Sequence, residues 1–316
     1  CSATLAAPAM LNSFCEIEHG YLDYEFNRIR FKMNREATKM WPAFLNEINK
    51  NITKDFLKNN YIDQNINKGT FLINNASADL LDDINYEAII SSLNQFNEPY
   101  DEINARDIPG YKPSQRNRSN RAIYINNEGW VNSQLTLNNL ELILKNSTRV
   151  AFIDDNVSKI ITKNNDIDYI VTSKGKKIFG DKYILVSGAS VTDLLYDSKI
   201  DIKIPRVFYG IGASINLENI GGQINKCIRT PNRGLACGIY TVPFKSNIQN
   251  QKLTLGATNY ISTKPIFKAR ANDVQSLLNS LINQINAYFY KSIIYNVKIG
   301  HRPTSLDTFP LIGETS

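Results

Sequence analysis

The sequence predicts an α/β protein with a nucleotide-binding turn at the edge of a parallel sheet. Apolar residues recur at helical spacing over 24–50 and 135–144, and between and after them come short runs with strand-like composition. One such run, 183–186, is apolar throughout and ends in the small residues Ser187, Gly188, Ala189 and Ser190. Open α/β folds bind nucleotides where strands of a parallel sheet end in this way.

The first half of the chain alternates helices and strands. Residues 24–50 predict one bent helix or two packed helices, with Pro42 at the break. Asp82 and Asp83 are the charges expected at a helix start. The other predicted elements are a strand at 69–75, one or two helices at 79–96, a loop at 107–121, a strand at 122–126, a turn at 127–129 and a helix at 135–144.

The second half is richer in strands. A short strand at 150–153 precedes a meander, and Asn272 is expected to cap a long helix over 273–290. The pair Gly210-x-Gly212 lacks the third glycine and the helix start of a phosphate-binding loop, and we reject it as one. The remaining predicted strands are 157–161, 169–172 and 177–181 of the meander, 183–186, the pair 238–243 and 252–257, then 293–299 and 309–313.

Composition excludes several classes of function. Apolar residues make up 42% of the chain and charged residues 21%, and the net charge of +6 comes from scattered lysines and arginines, so no nucleic-acid face is expected. Four cysteines without a Cys-x-x-Cys pair and only two histidines predict no metal site. No apolar run approaches the ~18 residues of a membrane span. We expect a reduced, cytoplasmic protein, and the sequence leaves its oligomeric state open.

The C-terminal stretch 299–316 is the most distinctive. Arg302 stands between His301 and Pro303, and a residue before proline is held away from the helical region. A guanidinium on such a stiffened backbone suits two-point binding of a carboxylate. From the residues alone, a surface arginine in a proline-rich loop is the favoured alternative.

A family resemblance instead favours a carboxylate-binding role for Arg302. The run Gly300-His301-Arg302-Pro303, with Asp307 and then Pro310-Leu311-Ile312-Gly313, resembles the Gly-x-Arg-Pro…Asp…Pro-x-Ile-Gly signature of the FAD-dependent D-amino-acid oxidase family. That family includes glycine and sarcosine oxidases. The resemblance implies that Arg302 binds the substrate carboxylate beside the flavin, and that Tyr240 and Tyr209 are further substrate-binding candidates.

The resemblance also implies where FAD is bound. The run Ala6-Ala7-Pro8-Ala9-Met10-Leu11 is similar to the family's Ala-Ala-Gly-Met-Leu segment, although it contains Pro8 and has Ala9 where glycine is usual. The family's Gly-x-Gly-x-x-Gly fingerprint and its terminal flavin-binding segment are absent from this sequence. The implied cofactor-binding residues are Ala6, Ala7, Ala9, Met10, Val157, Ser187, Gly188 and Ala189.

The implied architecture is a two-domain α/β flavoprotein. An FAD-binding, Rossmann-like domain, incomplete in this chain, comprises 1–50, 135–204 and 296–316. A substrate domain built on a large mixed, mostly antiparallel sheet comprises 51–134 and 205–295. We expect the chain to be a fragment of a longer protein, and to be inactive alone.

The function implied is FAD-dependent oxidation of an amine, an amino or imino acid, by hydride transfer to flavin N5. Oxygen or another acceptor would then reoxidise the flavin. No catalytic acid–base residues are predicted, because the cofactor carries the redox chemistry. Two alternatives stay open: a non-catalytic remnant of this fold, and a dehydrogenase of the same fold that acts on a hydroxy acid.

Overall fold

The chain falls into two compact units. Unit 1 is Cys1–Ile143, Gly212–Tyr260 and Phe267–Gly300, and unit 2 is Leu144–Ile211, Ile261–Ile266 and His301–Ser316. Cys1 and Cys237 lie outside the described residues. The structure is a computed structural model that describes residues 2–52, 65–76, 78–164, 166–200, 204–220, 223–233, 238–244 and 252–314.

The described residues form these regular elements. The helices are α1 (Ala3–Ala6), α2 (Glu25–Asn51), α3 (Leu80–Gln95), α4 (Ser133–Lys145), α5 (Val191–Asp197) and α6 (Ala271–Ser280). The strands are β1 (Met10–Leu11), β2 (Asn67–Asn75), β3 (Tyr100–Ile103), β4 (Ser119–Trp130), β5 (Val157–Lys163), β6 (Asp166–Thr172), β7 (Lys177–Ile178), β8 (Phe208–Glu218), β9 (Cys227–Arg229), β10 (Tyr240–Phe244), β11 (Lys252–Gly256), β12 (Tyr260–Ser262) and β13 (Ile294–Thr304).

A ten-stranded mixed sheet organises unit 1. Its order is β1-β4-β2-β9-β10-β11-β8-β12, with β3 also paired to β4 and β13 to β8. Strands β2 and β9 are parallel, whereas β1–β4, β2–β4, β9–β10 and β10–β11 are antiparallel. The residues of β8 before Gly212 and of β13 after Gly300 belong to unit 2. The predicted large, mostly antiparallel sheet is confirmed.

Helices α2 and α3 cover one face of this sheet. The core between them contains Phe31 of α2, Tyr86 and Ile89 of α3, and Leu72 and Ile123 of the sheet, all at most 2% exposed. Burial of such side chains contributes about 25 cal/mol per Å² of apolar surface. Helix α3 starts with a capping box between Asp79 and Asp82. Asp82 and Asp83 lie in its first turn, as their predicted role as helix-start charges requires.

Unit 2 contains a three-stranded antiparallel meander, β5-β6-β7, against which α5 packs. The predicted meander is therefore confirmed. The neighbouring run 183–186, predicted as a buried parallel strand, is wrong in this structure: it pairs with no described strand, and Ile184 and Val186 are 86% and 84% exposed. Runs 150–153 and 309–313 are not strands either. An apolar run indicates burial but cannot supply the partner whose backbone groups a strand needs.

Pro42 lies inside α2, which is one helix of 27 residues, so the two-helix alternative is wrong and the single helix remains. Three other local predictions need correction. The predicted turn at 127–129 is part of β4, where Gly129 pairs with both Leu11 and Lys68. Asn272 is within α6, whose start is capped by the Asp273 carboxylate accepting from the Arg270 amide at 3.1 Å. The predicted long helix ends at Ser280 and continues as a π-turn (Leu281–Ile285) and a 3-10 turn (Ala287–Lys291).

Within the described part of the chain, no helix is both long enough and apolar enough to cross a membrane. The same residues contain no cluster of three histidine, cysteine, aspartate or glutamate side chains placed to hold a metal ion.

Candidate functional site

Arg302 lies on a strand rather than in a loop. It is half-buried on the part of β13 that belongs to unit 2. Gly210 of β8 makes room for it, because a Cβ at Gly210 would come within 3.1 Å of the Arg302 Cβ and 2.5 Å of Thr304 Oγ1. The Gly210-x-Gly212 pair is thus part of a strand, as its rejection as a phosphate loop requires, and Gly210 permits a close approach of two strands.

Tyr209 is buried in unit 2, at 3% exposure. Its hydroxyl donates a hydrogen bond to Asp193 Oδ2 of α5, and its ring meets the His301 ring edge-on, with centroids 5.3 Å apart. Burial, then the hydrogen bond to Asp193, raise the pKa of Tyr209, while the Ser190 hydroxyl opposes them. His301 is hydrogen-bonded through Nε2 to the Ile266 carbonyl oxygen at 2.8 Å.

The turn 187–189 contains a glycine in the left-handed conformation. Gly188 has a φ of +60°, and a Cβ added there would meet no atom within 4 Å. Ser187 and Gly188 are exposed, and Ala189 is buried. Val157, at the start of β5, is 39% exposed. These four predicted cofactor-binding residues lie in unit 2, the unit that also contains Arg302 and Tyr209.

The predicted flavin segment 6–10 lies in unit 1 and is fixed through its backbone. The Ala6 carbonyl oxygen accepts from Ser214 Oγ at 2.7 Å, and that of Ala7 accepts from Ser133 Oγ at 2.9 Å. Ala9 has a φ of +55°, in the left-handed region where glycine is favoured. Ala9 therefore has a backbone conformation that suits the glycine usual at this position of the family's segment.

Tyr240 of β10 packs in the same buried cluster of unit 1 as Met10 of β1, together with Trp130 and Cys227. Its ring lies over Gly256, the residue opposite it on β11, where a Cβ would come within 2.5 Å of the ring. The structure thus brings together a predicted substrate residue and a predicted cofactor residue.

A buried polar cluster lies next to β1, and no motif in the sequence indicates it. Glu128 of β4 is 3% exposed, and its Oε1 accepts hydrogen bonds from the Phe14 and Cys15 amides, which follow β1. Burial raises the pKa of Glu128 to about 7, against the opposing effects of the Cys15 thiol, the two amides and Arg229. Burial likewise raises the pKa of both thiols, Cys15 and Cys227. Glu128 was interpreted as a turn residue because Asn127 and Gly129 flank it.

We expect Glu128→Gln to stabilise the protein much more at pH 8 than at pH 5. The pKa of Glu128 is raised when folded, so its ionisation opposes folding: the effect is absent below the usual value of 4.5 and complete above about 7. The difference between these two pKa values corresponds to a loss of roughly 3 kcal/mol in the free energy of unfolding. Glutamine keeps the Oε1 acceptor without the charge. Urea unfolding at pH 5, 6, 7 and 8 measures the difference between variant and wild type, which should increase with pH.

Glu102→Gln is the matched control for this experiment, because Glu102 is exposed on β3. Its stability difference from the wild type should stay flat over the same pH range. A flat difference for Glu128→Gln as well would contradict the assignment of a buried, late-ionising carboxyl group at Glu128.

Comparison with known proteins identifies the family. The family model described as FAD dependent oxidoreductase, abbreviated DAO, matches residues 3–316. The chain belongs to the DAO family. FAD is the cofactor of this family, and the resemblance drawn from the sequence is confirmed. No curated protein sequence matches the chain.

Solved structures of similar fold include several oxidases and a dehydrogenase. Glycine oxidase from Geobacillus kaustophilus has a TM-score of 0.74 at 17% identity, over 99% of this chain and 76% of its own. Iminodiacetate oxidase from Chelativorans sp. BNC1 has a TM-score of 0.71 at 16% identity, over 96% and 75%. L-proline dehydrogenase from P. horikoshii has a TM-score of 0.70 at 14% identity, over 99% and 75%. At these identities the likeness supports the DAO fold alone.

The described residues fit the cofactor of the DAO family in two places. In unit 2 Gly188 is exposed in the left-handed conformation, and a Cβ there would meet no atom within 4 Å. In unit 1 the segment 6–10 combines small side chains with carbonyl groups already held by Ser133 and Ser214, so its backbone is fixed before any ligand binds. Both places coincide with segments that the sequence assigned to FAD.

Proposed function

We propose that this DAO family member oxidises an amino acid or imino acid, with Arg302 binding the substrate carboxylate. One observation carries the proposal: Arg302 projects from β13 at the point where Gly210 of the neighbouring strand has no side chain. A strand holds a guanidinium more firmly than a loop does, and a fixed guanidinium loses less entropy on binding a carboxylate.

The other predicted residues have roles consistent with this proposal. Bound FAD supplies the acceptor for the hydride that leaves the substrate carbon. Tyr240 would contact the substrate and exclude water from it, because its ring is buried beside Met10. Segments 6–10 and 187–189, with Val157, would hold the cofactor.

We also propose that the functional domains keep the predicted boundaries, with 1–50, 135–204 and 296–316 binding FAD and 51–134 and 205–295 binding the substrate. In this structure, residues 1–50 are grouped with the large sheet in unit 1. Segment 6–10 would then serve the cofactor from within the unit that contains Tyr240.

An absorption spectrum of the purified full-length protein tests the proposed function. We expect flavin bands between roughly 350 and 500 nm that bleach when an amino or imino acid is added without oxygen. Admission of air, or of an artificial acceptor, should restore them and identify the kind of electron acceptor. Bleaching by hydroxy acids alone would favour a hydroxy acid dehydrogenase, and a protein without flavin would favour the non-catalytic alternative.

A further inference from the structure

Tyr209 occupies a position from which it can act on two parts of the proposed site. The resemblance made it a substrate-binding candidate. Its hydroxyl, however, already donates to Asp193, and the whole side chain is 3% exposed. A buried hydroxyl that has used its proton on a carboxylate has none to donate to a substrate. The role of Tyr209 must therefore be inferred from the two parts of the structure that it contacts.

The first of these parts is the turn that contains Gly188. Gly188–Ser190 form a single 3-10 turn that runs without interruption into α5. The first turn of α5 is fixed to the chain entering β8 by two side chains. Thr192 Oγ1 accepts from the Val207 amide at 2.9 Å, and Asp193 accepts from Tyr209. The contact between Asp193 and Tyr209 is thus one of two side-chain contacts that hold the Gly188 turn in position.

The second part of the structure that Tyr209 contacts is the strand that contains Arg302. The Tyr209 ring packs edge-on against His301, whose Nε2 is held by the Ile266 carbonyl. The next residue of β8, Gly210, packs against the backbone and Cβ of Arg302. A shift of Tyr209 would therefore be transmitted to Arg302 through two adjacent contacts, one by a ring and one by a glycine.

We propose that Tyr209 is a positioning residue whose hydrogen bond to Asp193 couples the Gly188 turn to Arg302, so that cofactor binding and carboxylate binding depend on the same contact. This inference rests on the proposed function, in which the turn holds FAD and Arg302 holds the substrate. Its distinctive consequence is that one lost hydroxyl group weakens the binding of two different ligands.

The test uses full-length protein and two dissociation constants. The FAD constant is measured by flavin fluorescence on adding FAD to protein stripped of it. The constant for benzoate, a carboxylate that cannot be oxidised here, is measured by the change in flavin absorbance. We expect Tyr209→Phe to raise both constants about five- to tenfold, the usual effect of one lost hydrogen bond.

Variants of Asp193 test the contact itself. Asp193→Ala should raise both constants, and the double variant should be no worse than Tyr209→Phe alone, because all three variants lose the bond between Tyr209 and Asp193. Asp193→Asn keeps an acceptor oxygen and should recover most of the loss. Tyr260→Phe is the control: the Tyr260 hydroxyl is buried without a hydrogen-bond partner among the described residues, so both constants should be unchanged.

Three results would overturn the inference. A change in the benzoate constant alone would mean that Tyr209 touches the substrate. A lower melting temperature with both constants unchanged would mean that Tyr209 only stabilises the fold. Additive effects of Tyr209→Phe and Asp193→Ala would mean that the two residues act separately.

Arg302→Leu, measured in parallel, separates failure of the proposed function from failure of the inference. It should raise the benzoate constant and leave the FAD constant unchanged. If it changes neither, the proposed carboxylate role of Arg302 is wrong. The FAD constant of Tyr209→Phe then still decides whether Tyr209 positions the Gly188 turn.

Discussion

Arg302→Leu should weaken transition-state binding of carboxylate-bearing amines by about 2–5 kcal/mol, the usual value of a desolvated charge pair, and should lower kcat/KM accordingly. This corresponds to between about 30-fold and several thousand-fold. Leucine lacks the guanidinium group, whose forked N–H donors bind two carboxylate oxygens. Gly210, opposite on β8, has no side chain that the leucine could contact, so we expect the backbone of β13 to stay in place. Steady-state kinetics with the amino acid found in the spectral screen measure the loss.

The chemistry of the substrate provides the internal control. An amine that lacks the carboxylate has nothing for Arg302 to bind, so its kcat/KM should be the same in wild type and variant. The kcat/KM of Arg302→Lys for carboxylate-bearing amines should lie between those of the wild type and Arg302→Leu, because lysine keeps the positive charge but lacks the forked donors of a guanidinium. Arg149→Leu, at an exposed position of the same unit, should leave both substrates unaffected. An equal loss for both amines in Arg302→Leu would refute the carboxylate role.

The fold could be predicted where the signal is local. Short apolar runs separated by turn residues at 157–178 predicted the meander, and helical spacing of apolar residues predicted α3 and α4. The prediction was wrong where a neighbour decides the outcome. Residues 183–186 have the composition of a buried strand, yet they pair with no described strand. Glu128 and Gly129 have the composition of a turn, but β1 and β2 pair with this stretch on both sides and keep it extended.

The candidate site could be predicted only through motifs. Arg302 and the 6–10 segment were found because their neighbours in sequence resemble a family pattern, and the left-handed Ala9 agrees with that resemblance. The hydrogen bond of Tyr209 to Asp193 joins residues 16 apart that no motif connects. Long-range pairs of this kind leave no periodic trace in a single sequence, because either partner alone is an ordinary polar residue.

Arg229 is the most deeply buried charged residue in the described part of the chain, at 1% exposure. Its guanidinium donates to Glu16 Oε1 and to Asn232 Oδ1, both at 2.8 Å, and Asn232 in turn donates to Glu16 Oε2 at 2.8 Å. Burial alone would lower the pKa of Arg229, but the Glu16 carboxylate more than offsets this, and the net shift is upward. The network joins the segment after β1 to the loop after β9.

Arg229→Met should lower the free energy of unfolding by about 3 kcal/mol. Removal of one member of a buried ion pair typically costs about 3–5 kcal/mol, because the other is left without a partner. The lower value applies here, since the Glu16 side chain is 46% exposed and can regain water. Urea unfolding at neutral pH measures the change. Because the Arg229 guanidinium itself is shielded from solvent, most of the loss should persist at high salt.

Arg121→Met makes the same chemical change in an exposed ion pair with Glu87, and it should cost at most about 1 kcal/mol. Adding Glu16→Gln to Arg229→Met should recover part of the loss, because the unpaired carboxylate is then gone while an acceptor for Asn232 remains. If Arg229→Met is no less stable than Arg121→Met, the buried network does not stabilise unit 1. In that case the segment after β1 is held by Glu128 and apolar packing alone.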